Sequence, residues 1–290
     1  LNSALNPETF PERLWHQQRV PYVLGPGLTT EERSAIAQAF IEFSEKTCVR
    51  FVPKTKTDQN YIVTEKNYGR GCSSYVGRNG GNQSVSLEVN KCFRKGTIQH
   101  ELMHVLGFFH EHSRMDRDDY VKIEERNIAM GMRKNFEKYS KNILHTLGMP
   151  YDYQSIMHYH ALAFSKNGKP TVIALQGSTK IGQRYNLSEI DVAKVNKLYN
   201  CSKLPLSSGS ANCTDLVDHC RLWAELGHCK FTVKYMRQNC KITAKKSTKR
   251  FVLIAVQIES RSVRIGLRLV TANAPENSQL FTVRKPANFV

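Results

Sequence analysis

The chain has 290 residues and a formal net charge of +17 at pH 7, a length that fits one sizeable domain and a smaller one. Residues 241–290 hold ten Lys/Arg against two Glu, so we expect either contact with an anionic glycan or matrix, or a solvated surface without a partner. No apolar run approaches the roughly 20 residues of a membrane-spanning helix, so no membrane span is expected.

The eight cysteines are scattered and include no CxxC pair, which favours disulfides and therefore a secreted, extracellular protein. Nucleic acid is not an expected partner of a secreted protein with disulfides. The chain begins with Leu1 and has no apolar signal segment, which indicates a processed product. N-x-S/T sequons agree with a secreted glycoprotein but are common by chance; they lie at Asn82, Asn186, Asn200 and Asn212.

The first predicted elements are a helix and three strands. The helix opens at the capping pair Thr29 and Glu32. Apolar residues then recur at helical spacing, at Ile36, Phe40 and Phe43. Three short β-rich runs follow at residues 48–52, 60–64 and 83–89, with a turn-rich loop before the last one.

Three more helices are predicted after the strands. The first covers residues 97–108, and the second runs from 119 to about 139. Residues 140–187 show little periodicity and several Gly and Pro, so we expect irregular structure there. The last helix opens at the capping pair Ser188 and Asp191 and closes the domain.

Composition divides the chain into four predicted parts. Residues 1–202 form the main domain, and residues 203–212 have the composition of a linker. Residues 213–247 form a small unit with four cysteines, which needs disulfides for stability. Residues 248–290 form a basic tail in which apolar and polar residues alternate as in a strand.

The stretch HELMHVLGFFH at residues 100–110 predicts a metal site. His100 and His104 are four residues apart, so one helix face presents both rings to a single point. Gly107 can adopt the left-handed conformation that ends the helix and returns His110 as a third ligand. Three neutral imidazoles suit zinc with an open position for a water, which Glu101 is placed to contact. The alternative is an amphipathic helix with incidental histidines.

A second motif, YQSIMHYH at residues 153–160, follows the histidines in the order of the metzincin pattern. In that pattern Met157 forms a methionine turn beneath the zinc. A methionine in a loop, taken alone, is more often core filler, so the interpretation depends on the order of the two motifs.

These motifs and their surroundings resemble the astacin family of zinc endopeptidases. The resemblance runs from residue 6 to about residue 202. It is carried by LWHQQRVPY, EKTCVRFVP, GCSSYVGR, VSLEVNKC, GTIQHELMHVLGFFHEHSRMDRDDYV and YDYQSIMHY. It implies an α+β fold of the metzincin type, with a twisted sheet and two long helices.

The resemblance also implies roles for individual residues. One zinc ion would be bound by His100, His104 and His110. Glu101 would be the catalytic base, and Tyr159 would be a further ligand that swings away to stabilise the transition state. The family's two disulfides carry over as Cys48–Cys201 and Cys72–Cys92.

Members of this family are activated when a trimmed N-terminus is buried against the glutamate after the third histidine, here Glu111. Counting back from Trp15 by the family's spacing places that terminus at Asn6. Residues 1–5 would then be surplus, either as a remnant of the pro-segment or because the chain is not fully matured. An ordinary helix-end salt bridge is the alternative role for Glu111.

Two expectations concern the substrate. The strand at residues 84–89 would pair with an extended peptide by adding it to the sheet. In this family the loop before the zinc helix can present a basic side chain, so Arg94 would favour Asp or Glu after the cut. The alternative is that Arg94 points into solvent.

The segments CTD, LWAELGHC and YMRQNC resemble a ShK toxin-like (ShKT) module. The module's pattern carries over as the disulfide Cys220–Cys240. Its fifth and sixth cysteines are missing here, so Cys213 and Cys229 are either bonded to each other or free.

The sequence therefore predicts a secreted zinc endopeptidase that acts on proteins or peptides. The alternative is a non-catalytic binding protein that docks to anionic matrix or channels through its C-terminal module.

Overall fold

The computed structural model describes residues 4–201 together with Cys220 and Cys240. The predicted linker, the rest of the predicted module and the basic tail lie outside the described residues. The helices in the described part are α1 (Thr30–Lys46), α2 (Lys95–Val105) and α3 (Glu189–Leu198). Its strands are β1 (Ala4–Leu5), β2 (Arg19–Leu24), β3 (Arg50–Pro53), β4 (Tyr61–Asn67), β5 (Ser73–Ser74), β6 (Asn82–Glu88), β7 (Val121–Ile123), β8 (Leu144–His145) and β9 (Val172–Ala174). None of these helices has the length and apolar character needed to cross a bilayer.

Five strands form a mixed sheet in the order β3–β2–β4–β6–β5, in which only β5 runs antiparallel to its neighbour. The prediction that the strand at residues 84–89 pairs with substrate is wrong. Val85 and Ser86 already pair with β4 on one side and with β5 on the other. Alternation of apolar residues identifies a half-buried strand but does not tell which strands lie beside it. The edge strand on that side of the sheet is β5.

The core lies between this sheet and the helices α1 and α2. Ile62, Val85 and Leu87 are fully buried, as expected for every second residue of a strand whose one face is covered. Phe40 of α1 stacks on Phe51 of β3 with ring centroids 4.6 Å apart. Each such buried side chain contributes roughly 1.5–3 kcal/mol to folding, so apolar burial holds this part of the chain together.

Both predicted capping boxes are confirmed. At the start of α1, the Glu32 amide donates to the Thr29 hydroxyl, and the Thr29 amide donates to the Glu32 carboxylate. Ser188 and Asp191 repeat the arrangement at the start of α3. Each box satisfies two backbone N–H groups that have no partner within the helix.

Residues 119–139 do not form the predicted helix. They contain β7 and two 3-10 turns, Glu125–Asn127 and Arg133–Phe136. Their backbone groups bond to a distant segment instead: β7 pairs with β9, and the Ala129 amide donates to the Phe164 carbonyl at 2.9 Å. Gly131 has a φ of +80°, which ends any helical run. Long-range pairing therefore overrides the local periodicity.

Ala4 and Leu5 are part of the folded domain. They form β1, which pairs with β8, and both are buried. The Leu5 amide also donates to the Gly107 carbonyl at 2.7 Å. These two residues are thus not surplus to the fold, and the position of the mature N-terminus stays a prediction.

All three predicted disulfides are formed. Cys48–Cys201 joins the residues just before β3 to those just after α3, with Cα atoms 5.5 Å apart. Cys72–Cys92 and Cys220–Cys240 have Cα separations of 5.8 and 5.2 Å. The pairing of Cys213 and Cys229 falls outside the described residues.

Candidate metal centre

Three histidines converge at the end of α2. His100 and His104 lie on one helix face, with ring centroids 4.8 Å apart. The helix ends after Val105, where Gly107 has a φ of +101° and turns the chain sharply. That turn returns His110, and the ligand atoms of the three rings all lie within 4.8 Å of one another.

Backbone carbonyls orient two of the rings. Nδ1 of His100 lies 2.8 Å from the Ile156 carbonyl oxygen, and Nδ1 of His104 lies 2.6 Å from that of Phe108. A carbonyl can only accept, so each Nδ1 carries the proton and each Nε2 keeps its lone pair. Nε2 of His110 is 3.2 Å from Nε2 of His100.

The three rings are uncharged at neutral pH. Burial lowers the pKa of His104 to about 4. Burial also lowers the pKa of His100 and of His110 well below the usual range. Uncharged imidazoles with bare nitrogens facing one point match the donor set of a zinc site with an open position. The residues present therefore fit a zinc ion, as predicted.

Glu101 lies next to this cluster and is buried. The Ser74 hydroxyl donates to its backbone carbonyl at 2.8 Å and lies 3.1 Å from its carboxylate. Burial raises the pKa of Glu101 to about 7, against the opposing effects of Ser74 and of the positive charge on Arg184. A carboxyl that titrates near neutral pH can both accept and return a proton.

The second predicted motif lies against the histidines. Met157 is buried, and its carbonyl accepts from the Glu111 amide at 3.1 Å. The ring of Tyr159 lies 4.6 Å from the ring of His110, measured between centroids. Burial raises the pKa of Tyr159 to about 12, so the phenol keeps its proton and can donate a hydrogen bond.

Glu111 is fully buried between two cations. Its carboxylate accepts from Lys194 Nζ at 2.6 Å and from Arg114 Nη1 at 3.0 Å, and it also accepts from the Asp152 amide at 3.0 Å. Both cations are themselves buried. The residue after the third histidine is therefore the centre of a buried ionic cluster, not of an exposed helix-end pair.

Arg184 was not predicted from the sequence and lies close to the histidines. Its guanidinium donates to the His158 carbonyl at 3.0 Å. Its positive charge adds to the effect of burial in lowering the pKa of the three histidines, and it opposes the effect of burial on the pKa of Glu101. Gly96 packs against the same loop, where an added Cβ would lie 2.0 Å from the Arg184 carbonyl oxygen. No local pattern marks Arg184, because packing of distant segments places it.

Arg94 is exposed at the residue before α2. Its neighbour Lys95 forms an ion pair with Glu42 of α1 at 2.7 Å, so the charge of Lys95 is directed toward α1. The predicted role of Arg94 in substrate choice stays a prediction.

Comparisons with known proteins agree with this site. The model of the Astacin peptidase family matches residues 8–200, and "ShK domain-like" matches residues 212–243. Zinc metalloproteinase nas-14 of Caenorhabditis elegans is 48% identical over 83% of this chain and 59% of its own length. Zinc metalloproteinase nas-13 of the same organism is 38% identical over 78% and 62%. The chain thus spans about three fifths of the length of these relatives.

A solved structure is similar as well. High choriolytic enzyme 1 (HCE-1), a hatching enzyme zinc-protease from the medaka fish Oryzias latipes, is 38% identical, with a TM-score of 0.61. The match covers 65% of this chain and 94% of that one. Since the family model alone covers about two thirds of the residues, the chain belongs to the astacin family of peptidases.

Proposed function

We propose that this protein is a secreted, zinc-dependent endopeptidase that hydrolyses internal peptide bonds of proteins. The observation that carries the proposal is the cluster of three uncharged histidines with the buried carboxyl of Glu101 beside it. Membership of the astacin peptidase family and the names of the relatives support the same activity. Three disulfides support a secreted location.

His100, His104 and His110 would hold one zinc ion. When bound there, zinc supplies a Lewis acid that polarises the scissile carbonyl and makes water more acidic. Glu101 takes the proton of the attacking water and passes it to the leaving amine, a role that suits its pKa of about 7. Tyr159 donates its hydroxyl to the oxygen that gains charge in the transition state, an interaction typically worth a few kcal/mol.

The substrate would bind along the edge strand β5. Its backbone offers hydrogen-bonding groups to an extended peptide, and Ser74 of this strand touches Glu101. A peptide added at this edge would therefore pass directly over the catalytic carboxyl. This assignment replaces the expectation for β6, whose backbone is already paired.

The residue after the cut would be Asp or Glu. Arg94 is exposed at the start of α2, and Arg184 adds a second, partly buried positive charge near Glu101. A peptide library should therefore show enrichment of acidic residues at that position. Replacing Arg94 by Ala should weaken it, and a profile without acidic enrichment in the wild-type protein would refute the preference.

Maturation would bury a trimmed N-terminus near Glu111, as the resemblance to the family implies. Lys194 and Arg114 already hold the carboxylate in place, so the charge that the terminus adds would join an existing cluster. N-terminal sequencing of the active protein would locate the mature residue.

The test of the main proposal is cleavage of casein or gelatin by the purified chain. Wild-type protein should cleave, a zinc chelator should abolish cleavage, and added Zn²⁺ should restore it. Glu101→Gln should lose at least about a thousandfold in kcat/KM while still binding zinc. Cleavage that survives both the chelator and Glu101→Gln would overturn the mechanism.

The matrix contact and the non-catalytic alternative depend on the C-terminal part of the chain. The positive charge of residues 241–290 supports binding to an anionic polymer, which is compatible with a working protease. Heparin retention that falls with salt and disappears when residues 241–290 are deleted would support it. Unchanged retention would dispose of it.

A further inference from the structure

The fourth histidine of the zinc-site stretch, His112, has no part in the proposed mechanism. It lies in the 3-10 turn Glu111–Ser113 that follows the third ligand, and its side chain is fully buried. A buried imidazole costs free energy unless its nitrogens are satisfied or its ring packs well. The contacts of His112 therefore indicate what it does.

One ring nitrogen of His112 acts as an anchor. Nε2 lies 2.8 Å from the carbonyl oxygen of Asn135, so it carries the proton and donates. Nδ1 is then a bare acceptor, and among the described residues it has no hydrogen-bond partner. Only half of the polar capacity of the ring is used.

The face of the His112 ring packs against Tyr159. The centroid of His112 lies 3.9 Å from that of Tyr159, with the planes inclined by 35°. Among the ring contacts of Tyr159 in the described part of the chain this one is the shortest: His110 lies 4.6 Å away, Phe164 5.6 Å and Phe136 5.7 Å. His112 also stacks behind His110, at 5.6 Å and 20°.

We infer that His112 is a positioning residue for Tyr159, and that its ring is the surface on which the phenol is held beside the metal site. The inference rests on the proposed function, in which the Tyr159 hydroxyl binds the transition state. The resemblance implies that the phenol moves between the zinc and the transition state, and a moving ring delivers its hydroxyl to a defined place only if packing limits its positions. The tilted contact with His112 supplies that packing on one face of the phenol.

Two substitutions separate this role from simple anchoring. His112→Gln keeps an N–H donor for the Asn135 carbonyl but loses the ring. His112→Phe keeps the ring but loses the donor, and it gives up nothing at Nδ1 because that nitrogen has no partner among the described residues. If His112 positions Tyr159, His112→Phe should keep most of the activity that His112→Gln loses. If His112 serves only to anchor the Asn135 carbonyl, His112→Gln should keep activity and His112→Phe should lose it.

The experiment measures kcat, KM and the zinc dissociation constant of the full chain, the last by competition with a chelator. His112→Gln should lower kcat about 3- to 10-fold, the range that an aromatic contact supports, with KM changed less than about twofold. It should weaken zinc binding in the same direction as Tyr159→Phe. His112→Phe should recover most of both losses.

A double-mutant cycle with Tyr159→Phe decides between the two roles. In the Tyr159→Phe protein, His112→Gln should cause no further loss of kcat, because the group that it positions is gone. An equal loss in both backgrounds, or a larger loss for His112→Phe than for His112→Gln, would overturn the inference. If Tyr159→Phe itself changes neither kcat nor zinc affinity, the proposed role of Tyr159 fails and the inference fails with it.

Loss of stability is controlled separately. The control variant is Ile36→Val. Ile36 lies in α1, in the core of the domain, and the substitution removes one buried methylene without touching the site. If His112→Gln lowers the melting temperature, a core variant with a matched decrease should leave kcat unchanged. A matched core variant with the same loss of kcat would show that the effect is structural and would refute positioning.

Discussion

Two halves of the domain build the site in different ways. The sheet half, residues 19–107, consists of the five-stranded sheet with α1 and α2 and is held by apolar burial. The loop half, residues 108–187, consists of short turns and strands of two or three residues. It has a small apolar cluster of its own around Val121, Phe136 and Val172, and ion pairs, hydrogen bonds and aromatic contacts hold it as well. In the sheet half, the four-residue spacing on α2 is enough to place His100 and His104 side by side. In the loop half, the positions of His110 and Tyr159 depend on the contacts that hold the loops in place.

The largest expected effect is the loss of a disulfide. Cys48–Cys201 closes a loop of 153 residues that contains the whole loop half, whereas Cys72–Cys92 closes only 20 residues within the sheet half. In the chain-entropy account, replacing both cysteines of the first pair by Ser should lower the free energy of unfolding by about 5 kcal/mol, against about 3 kcal/mol for the second. Urea unfolding of the two double variants measures both values.

The reverse order would contradict this account. It would mean that the loop half keeps its shape in the unfolded ensemble, so that closing the long loop restricts little. Activity offers a second readout, because loss of Cys48–Cys201 frees the C-terminal end of α3, the helix that also carries Asp191 and Lys194.

The next largest effect is expected from the buried charges that join the loop half to α3, where Lys194 lies. Lys194→Met removes the cation 2.6 Å from Glu111 and leaves a fully buried carboxylate short of one partner, which should cost about 3–5 kcal/mol. Lys46→Met is the matched control in the sheet half. Lys46 pairs with Glu42 at 2.9 Å, but its side chain is 42% exposed, so its loss should cost less than about 1 kcal/mol.

Chemical unfolding of both lysine variants at pH 7 tests this difference. Similar losses for the two variants would show that Arg114 alone suffices for Glu111, and that the buried cluster stabilises the loop half less than its geometry indicates. The kcat of Lys194→Met would then show whether the cluster affects the histidine site, because Glu111 follows His110 in the chain.

The sheet half was largely predictable from sequence. The spacing of Ile36, Phe40 and Phe43 and the capping residue Thr29 specify α1 locally. The spacing of His100 and His104 likewise places two rings on one helix face. These features depend on residues within four positions of each other, which is the range over which helical periodicity acts.

The loop half was predicted far less well, for a physical reason. Its backbone bonds join residues far apart in the chain, as between Ala129 and Phe164, so no local period records them. Arg184 is near the site because the backbone of Gly96 leaves room for its loop. Tyr159 and Met157 were singled out only because their order after the histidines matches a family pattern, and their roles stay predictions.

The free energy of unfolding should change with pH in opposite directions for a carboxyl in the loop half and a carboxyl in the sheet half. In the loop half, burial and then the Asp191 carboxylate raise the pKa of Asp152 to about 6. The folded state therefore holds this proton more tightly than the unfolded chain does, and stability falls as the pH rises from about 4 to 6. Relative to Asp152→Asn, which does not titrate there, the wild type should lose on the order of 1–3 kcal/mol over that window.

Asp58 in the sheet half should behave in the opposite way. The hydrogen bond from Arg19 holds the pKa of Asp58 below its usual range, so its contribution is present above the ordinary pKa and is lost as the pH falls. The difference between wild type and Asp58→Asn should thus grow as the pH rises from about 2 to 5. Free energies of unfolding at five or six pH values test both slopes, and slopes of equal sign would refute the assignment.

The smallest expected difference is between the two helix caps. Thr29→Ala in the sheet half removes the acceptor for the Glu32 amide and a hydrogen bond with the exposed Glu31 carboxylate, and it should cost about 1 kcal/mol, the usual value for an N-cap. Ser188→Ala removes the acceptor for the Asp191 amide and also the hydroxyl that donates to Asp152 at 2.5 Å. Its cost should be about 2 kcal/mol, because a buried carboxyl loses a donor as well.

Conservative replacements serve as controls for this pair. Thr29→Ser and Ser188→Thr keep the hydroxyl and should cost a few tenths of a kcal/mol. The extra cost of Ser188→Ala should also depend on pH: it should be greatest above about pH 6, where Asp152 is ionised, and should shrink when the carboxyl is protonated. Equal losses for Thr29→Ala and Ser188→Ala at every pH would mean that the cap of α3 does not support the loop half, and that its contact with Asp152 contributes nothing beyond the helix it begins.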